Sequence, residues 1–233
     1  MTHRVHCFNA GPAQLPLPVL QEVQAELLDY NGTGMSVMEL SHRSADYKAI
    51  HEAAKQDFKD LLGLGDNWNI LFLPGGSSTQ FYHLPFNLLN GEGKADYINT
   101  GSWSKKAIKE AKRYGDIHLA HDAEVDGRFL YIPKQDQLDI RPDAKYLHIT
   151  TNNTIAGTQW RTLPDVPKGV WLVADMCSDM YWRKFDFERF GMFYASAQKN
   201  MGPSGVTIVA IRNEFLELCA DDVPTMVSYK TQV

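Results

Sequence analysis

Lys199 lies between two apolar runs of strand-like composition. Met192-Phe193-Tyr194-Ala195 precedes it and Val206-Thr207-Ile208-Val209-Ala210-Ile211 follows. Between them, Asn200-Met201-Gly202-Pro203-Ser204-Gly205 is broken by glycine and proline, which impose a tight bend. The pattern predicts Lys199 at a strand end facing a cleft, where an amine can attack a carbonyl carbon. Another apolar run, Val170-Trp171-Leu172-Val173-Ala174, ends in Asp175. A carboxylate at the end of a buried strand has two ordinary explanations: it caps the next turn, or it pairs with a buried cation. Taken alone, the cap is the commoner. Beside Lys199 the balance reverses, because the pair suits pyridoxal phosphate (PLP). The lysine would take the aldehyde, and the aspartate would keep the pyridine nitrogen protonated so that the ring serves as an electron sink.

A phosphate would need its own site. Gly75-Gly76-Ser77-Ser78-Thr79 follows the strand-like Asn69–Leu73 and opens a helix near Ser77 to Thr79. A helix start leaves amides unpaired and favours an anion, although a Ser/Thr cluster is more often a plain N-cap. The spacing excludes an ATP-type P-loop. Trp103, in a loop after a strand, would by itself be read as core. Thr154, after Asn152-Asn153, would by itself be read as closing a turn. His42-Arg43, between two helices, would ordinarily be surface or a structural bridge.

The elements that must position these residues alternate. Pro18 can open a helix carried by Val19, Val23, Leu27 and Tyr30 and stopped by Asn31-Gly32. A second helix runs through Tyr47, Ile50, Ala54, Phe58 and Leu61 and stops at Gly63. Strands are expected at Asn69–Leu73, Ala95–Asn99, Ile117–Ala120, Tyr146–Thr151, Val170–Ala174, Met192–Ala197 and Val206–Arg212, with a helix over Ser104–Tyr114. This alternation predicts an α/β fold with a mostly parallel central sheet flanked by helices. Residues 1–17 read as a Gly- and Pro-containing arm, and 18–233 as one large domain without a linker.

Composition bounds the function. The 233 residues are 44% hydrophobic and 22% charged, enough for a sizeable core. A net charge of −5 argues against nonspecific binding to nucleic acid or anionic membranes. No apolar run is long enough for a membrane span, and no signal-peptide pattern is evident. Cys7, Cys177 and Cys219 read as free thiols of a reducing compartment, which suggests a cytoplasmic protein. The eight histidines form no ligand cluster, so no metal site is expected.

Several motifs together are similar to those of the phosphoserine aminotransferase family, in its order and spacing. They are Phe8-Asn9-Ala10-Gly11-Pro12-Ala13, Asn31-Gly32-Thr33-Gly34-Met35-Ser36 through Ser41-His42-Arg43, Gly75 to Phe81, Thr100-Gly101-Ser102-Trp103, Asn152 to Gln159, and Ser196-Ala197-Gln198-Lys199-Asn200. The resemblance covers essentially the whole chain. It implies the large domain of PLP-dependent fold type I, with Lys199 bearing PLP and moving the substrate proton. It implies Trp103 stacked on the ring, Thr154 near the ring hydroxyl, and Ser77, Ser78 and Gln198 at the phosphate. His42 and Arg43 would bind the phosphate of phosphoserine or the distal carboxylate of glutamate, for which a guanidinium fork is suited.

The implied activity is transamination between O-phospho-L-serine/3-phosphohydroxypyruvate and 2-oxoglutarate/L-glutamate in serine biosynthesis, extending to the related phosphorylated substrate of pyridoxine biosynthesis, by a homodimer. Alternatives are an inactive PLP-binding remnant or another fold type I enzyme such as a cysteine desulfurase. Two departures stand out. Family members are longer, with a small C-terminal domain, so the resemblance implies a C-terminally truncated chain. Cys177 also stands where the family usually has serine, and a thiol is a poorer hydrogen-bonding group.

Overall fold

The computed structural model of the chain describes residues 3–233. These fall into two compact units, the first running to Gly65 and the second spanning Asp66–Val233. Of the expected arm, residues 1 and 2 lie outside the described range, and 3–16 carry no helix or strand.

In the first unit, helix α1 (Leu17–Glu26) begins with proline in its first turn, where a missing N–H costs nothing. Helix α2 (Ala45–Leu62) is capped by Ser44, whose side chain accepts from Tyr47 N–H at 3.3 Å. It ends at Gly63, whose φ of 68° is the left-handed conformation that glycine supplies without strain. Helix α2 ends at the expected stop, whereas α1 ends at Glu26, before the expected Leu27, Tyr30 and Asn31-Gly32 are reached.

The second unit is built on the alternation described above. Its elements are β1 (Trp68–Leu73), α3 (Ser77–Leu89), β2 (Lys94–Asn99), α4 (Ser102–Ala111), β3 (Asp116–Asp122), β4 (Glu124–Val125), β5 (Arg128–Phe129), β6 (Tyr146–Thr150), β7 (Asn152–Asn153), β8 (Thr158–Gln159), β9 (Trp171–Asp175), β10 (Phe190–Ser196) and β11 (Thr207–Arg212). Seven strands form one sheet in the order β1-β11-β10-β9-β6-β2-β3. Strands β10, β9, β6, β2 and β3 are mutually parallel, whereas β11 runs antiparallel to both β10 and β1. This is the mostly parallel sheet flanked by helices that the sequence predicts. The reversal at β11 follows from chain length: the short turn after β10 cannot make the long crossover that a parallel neighbour needs.

Strands β6, β10 and β11 are buried along their whole length, as expected for strands covered on both faces. Helices α3 and α4 pack over one face through Phe81, Leu84, Leu88, Ala107, Ile108 and Ala111. The small hairpins β4–β5 and β7–β8 are additions that the sequence reading does not include.

One ion pair holds the β2 side of the sheet. Asp96 is fully buried, and its carboxylate accepts from Arg141 Nε at 2.7 Å and from Arg141 N–H at 2.6 Å. Arg141 also reaches Asp116 at 2.7 Å. Removing the guanidinium would leave a buried carboxylate without its cation. Arg141→Ala is therefore expected to lower the unfolding free energy by about 2–3 kcal/mol, measured by urea denaturation.

Candidate active site

The parallel strands β2, β6, β9 and β10 deliver their C-terminal ends to one edge of the sheet, the usual place for a ligand crevice in such sheets. A cleft of about 230 Å³ opens there, lined entirely by the second unit. Asp175 is the last residue of β9. Lys199 lies in the turn beyond β10, which is closed by bonds from Met201 N–H and Gly202 N–H to Ala197 O at 3.0 and 2.8 Å. Both residues line the cleft, together with Ser77, Ser78, Trp103, Thr154 and Gln198. Every cofactor residue expected from the sequence is thus brought to one place. His42 and Arg43 belong to the first unit, in the loop before α2.

Asp175 realises the first of its two ordinary roles, the cap. Its Oδ1 accepts from Cys177 N–H at 2.9 Å, which closes the next turn. The carboxyl group is buried, and burial pushes its pKa up to about 7, helped by the nearby charge of Asp179 and opposed by the Cys177 bond. A buried carboxylate so placed suits a ligand that brings its own positive charge. The bond from Cys177 comes from the backbone, so cysteine in place of serine leaves it intact. Burial, followed by the Asp175 charge, raises the thiol pKa, which keeps Cys177 in its protonated form.

The anion end of the cleft is the start of α3. Its N-cap is Gly76, at φ 77°, which has no side chain to cap the helix. The plain Ser/Thr cap is therefore not what forms. Instead Ser77 N–H donates to Ser196 Oγ of β10 at 2.5 Å, and the two hydroxyls lie 2.8 Å apart. A Cβ on Gly75 would come within 2.4 Å of Thr79 Cγ2, so this turn requires glycine. The glycine-started helix N-terminus, with Ser77, Ser78 and Gln198 on the lining, suits a phosphate.

Trp103 packs partly against the core and partly on the cleft. Its indole Nε1–H donates to Thr154 Oγ1 at 3.1 Å, and its backbone N–H donates to Asn153 Oδ1 at 3.0 Å. Thr154 lies in the turn between β7 and β8, so its turn and cleft readings coexist. Accepting from the indole leaves its hydroxyl hydrogen available for an oxygen on a ligand.

A flat aromatic wall, a buried carboxylate, a lysine and a glycine-started helix N-terminus match the ring face, pyridine nitrogen, aldehyde and phosphate of PLP. Thr150, whose buried hydroxyl has no partner, lies on the same lining. The residues present therefore fit that cofactor.

The chain matches the Aminotransferase class-V family profile over residues 5–223. It belongs to the class-V aminotransferases. Among curated relatives, the phosphoserine aminotransferase of Geobacillus kaustophilus (strain HTA426) is 52% identical over 229 residues, covering 98% of this chain and 62% of that protein. Among solved structures, phosphoserine aminotransferase from Bacillus circulans subsp. alkalophilus superposes with a TM-score of 0.91 at 47% identity, covering 96% of this chain and 62% of that one. PLP-bound phosphoserine aminotransferase from Trichomonas vaginalis gives 0.89 at 35% identity, covering 97% and 63%. This class-V chain thus spans somewhat under two thirds of the length of these relatives.

Three residues of this class-V site carry no role in the sequence reading. Ser196 could have been found from alternation: Tyr194 pairs with Asp175 across β10 and β9, so Ser196, two residues on, shares that face. Thr150 is directly opposite Asp175 on β6 and is open to the same argument. Asn153 offers no such signal, because its partners lie about 50 residues away.

Proposed function

We propose that this chain is the PLP-binding part of a phosphoserine aminotransferase. The reaction is amino transfer between O-phospho-L-serine/3-phosphohydroxypyruvate and 2-oxoglutarate/L-glutamate, in serine biosynthesis. The carrying observation is the buried Asp175 in the same cleft as Lys199 and the glycine-started N-terminus of α3. The names of relatives at about 50% identity, phosphoserine aminotransferase, support phosphoserine as the amino acid. When bound, PLP supplies an electron sink that allows the amino acid Cα–H bond to break heterolytically.

The chain's own residues supply the rest. Asp175 balances the positive charge at the pyridine nitrogen. Trp103 covers one face of the ring and keeps water from it. The start of α3, with Ser77, Ser78 and Gln198, holds the phosphate, and the Thr154 hydroxyl donates to the ring oxygen. Lys199 Nζ would hold the aldehyde carbon of PLP, and as the free amine it would accept the proton from substrate Cα and deliver it to the former aldehyde carbon. His42 and Arg43 hold the phosphate or distal carboxylate of the substrate. The working form is a homodimer. Three free cysteines suit the reducing cytoplasm. Among the described residues no helix is long and apolar enough to cross a membrane.

The test is a visible absorbance titration of the PLP-loaded chain. L-glutamate and O-phospho-L-serine should each bleach the cofactor band, whereas L-alanine and L-cysteine should not. A band bleached only by L-cysteine would favour a desulfurase. A band unmoved by all four would leave a cofactor-binding protein without transaminase activity.

A further inference from the structure

Helix α4 begins with an unusual shortage. Its N-cap is Gly101, which has no side chain to accept from the first amides, and no local side chain caps the helix. The backbone N–H groups of Trp103 and Ser104 would be orphans. Asn153, from β7, meets them both: its Oδ1 accepts from Trp103 N–H at 3.0 Å and from Ser104 N–H at 3.4 Å. Its Nδ2 donates to Thr100 Oγ1 at 3.1 Å and to Ser104 Oγ at 3.0 Å. Asn153 is fully buried. Gly101 makes room for it, since a Cβ there would sit 2.4 Å from Asn153 Cγ. The next residue, Thr154, takes the indole N–H of the same tryptophan. One dipeptide therefore fixes Trp103 at its backbone and at its ring.

We infer that Asn153 is a positioning residue, a cap borrowed from another strand that sets the angle of the Trp103 ring against the cofactor. It never needs to touch the cofactor. Its effect passes through Trp103, because moving the start of α4 turns the indole with it. This inference rests on the PLP-binding reading above.

The experiment measures PLP affinity by absorbance titration, and PLP seating by visible circular dichroism at saturation. Asn153→Ala should weaken PLP binding about tenfold and reduce the dichroism of the bound cofactor. In a Trp103→Ala background the same change should cost less than about twofold, because the two residues act as one unit. Asn153→Asp keeps the acceptor, and a carboxylate is favoured at a helix start, so it should bind within about threefold of the parent. The inference is overturned if Asn153→Ala binds PLP like the parent, or if its loss is undiminished without Trp103. It is also overturned if Asn153→Asp binds as poorly as Asn153→Ala, or if neither Asn153 variant folds, which would make the amide part of the scaffold alone. A parent chain that binds no PLP overturns the functional reading itself and takes this inference with it.

Discussion

Lys199→Ala is expected to lower the rate of amino transfer by about 10⁴-fold, the upper range for loss of a positioned proton-transfer group. The residue lines the cleft on a turn closed by backbone bonds from Met201 and Gly202 to Ala197, which the substitution leaves in place. Two readouts separate the functions of this amine. Borohydride treatment followed by peptide mass spectrometry should find the cofactor's mass on the peptide containing Lys199 in the parent and on no peptide of the variant. Single-turnover kinetics should show the loss in the proton-transfer step. A variant retaining parent-like turnover would remove Lys199 from the mechanism.

Asp175→Asn should act in opposite directions on activity and stability. The amide cannot balance a pyridinium charge, and turnover should fall by about 10³-fold, comparable to loss of a major electrostatic stabiliser. In the cofactor-free chain the same change should stabilise. The carboxyl group has a folded-state pKa of about 7, raised from 3.8 by burial. Between those values the folded state holds a proton that the unfolded chain releases, so stability contributed by this group is present at low pH. It is lost as pH rises towards 7. The gain from Asp175→Asn should therefore be largest at pH 8 and vanish near pH 4, as read from urea unfolding midpoints across pH. Adding PLP should narrow the gap at pH 8, because the pyridinium pairs with the carboxylate of the parent and not with the amide of the variant. A gain that is the same at both pH values would mean that the Asp175 charge carries no cost in the folded chain.

Both predictions concern residues that the sequence announces. Lys199 and Asp175 sit at the ends of apolar runs, where turn residues mark the strand boundary, and alternation then fixes which face they join. The helix stop at Gly63 was legible for the same local reason, whereas α1 ends at Glu26, ahead of the glycine signal at Gly32. The family resemblance added the roles of Trp103, Thr154, Ser77, Ser78 and Gln198, which composition and spacing alone leave as core, turn or cap. What remained hidden is what depends on distant partners. The two-residue strands β4, β5, β7 and β8 are too short to show a period. Asn153 reads as one polar residue in a turn-like stretch until the fold sets it under α4. Arg141 reads as a surface charge until Asp96 is found buried beneath it. Asn200, beside Lys199, shows the same limit: its Nδ2 donates to Met180 O at 2.8 Å, which ties the turn of Lys199 to the segment following Asp175. Tyr181, next along, holds a φ of 66°, a conformation costly for a bulky residue and one that no local sequence signal announces.

The bond between Ser77 and Ser196 joins positions 119 apart in the chain. Closing so large a loop costs entropy that only a nearly complete sheet can offset, so this contact belongs to the last stage of assembly. The phosphate cradle does not exist while β10 is unpaired from its neighbours. PLP therefore has nothing to grip in a half-folded chain and cannot act as a template for folding. It acts afterwards, as a latch: by binding only the finished structure it slows the return to the unfolded state while leaving the forward rate unchanged. Cells short of the cofactor would make this protein at the usual pace and lose it faster.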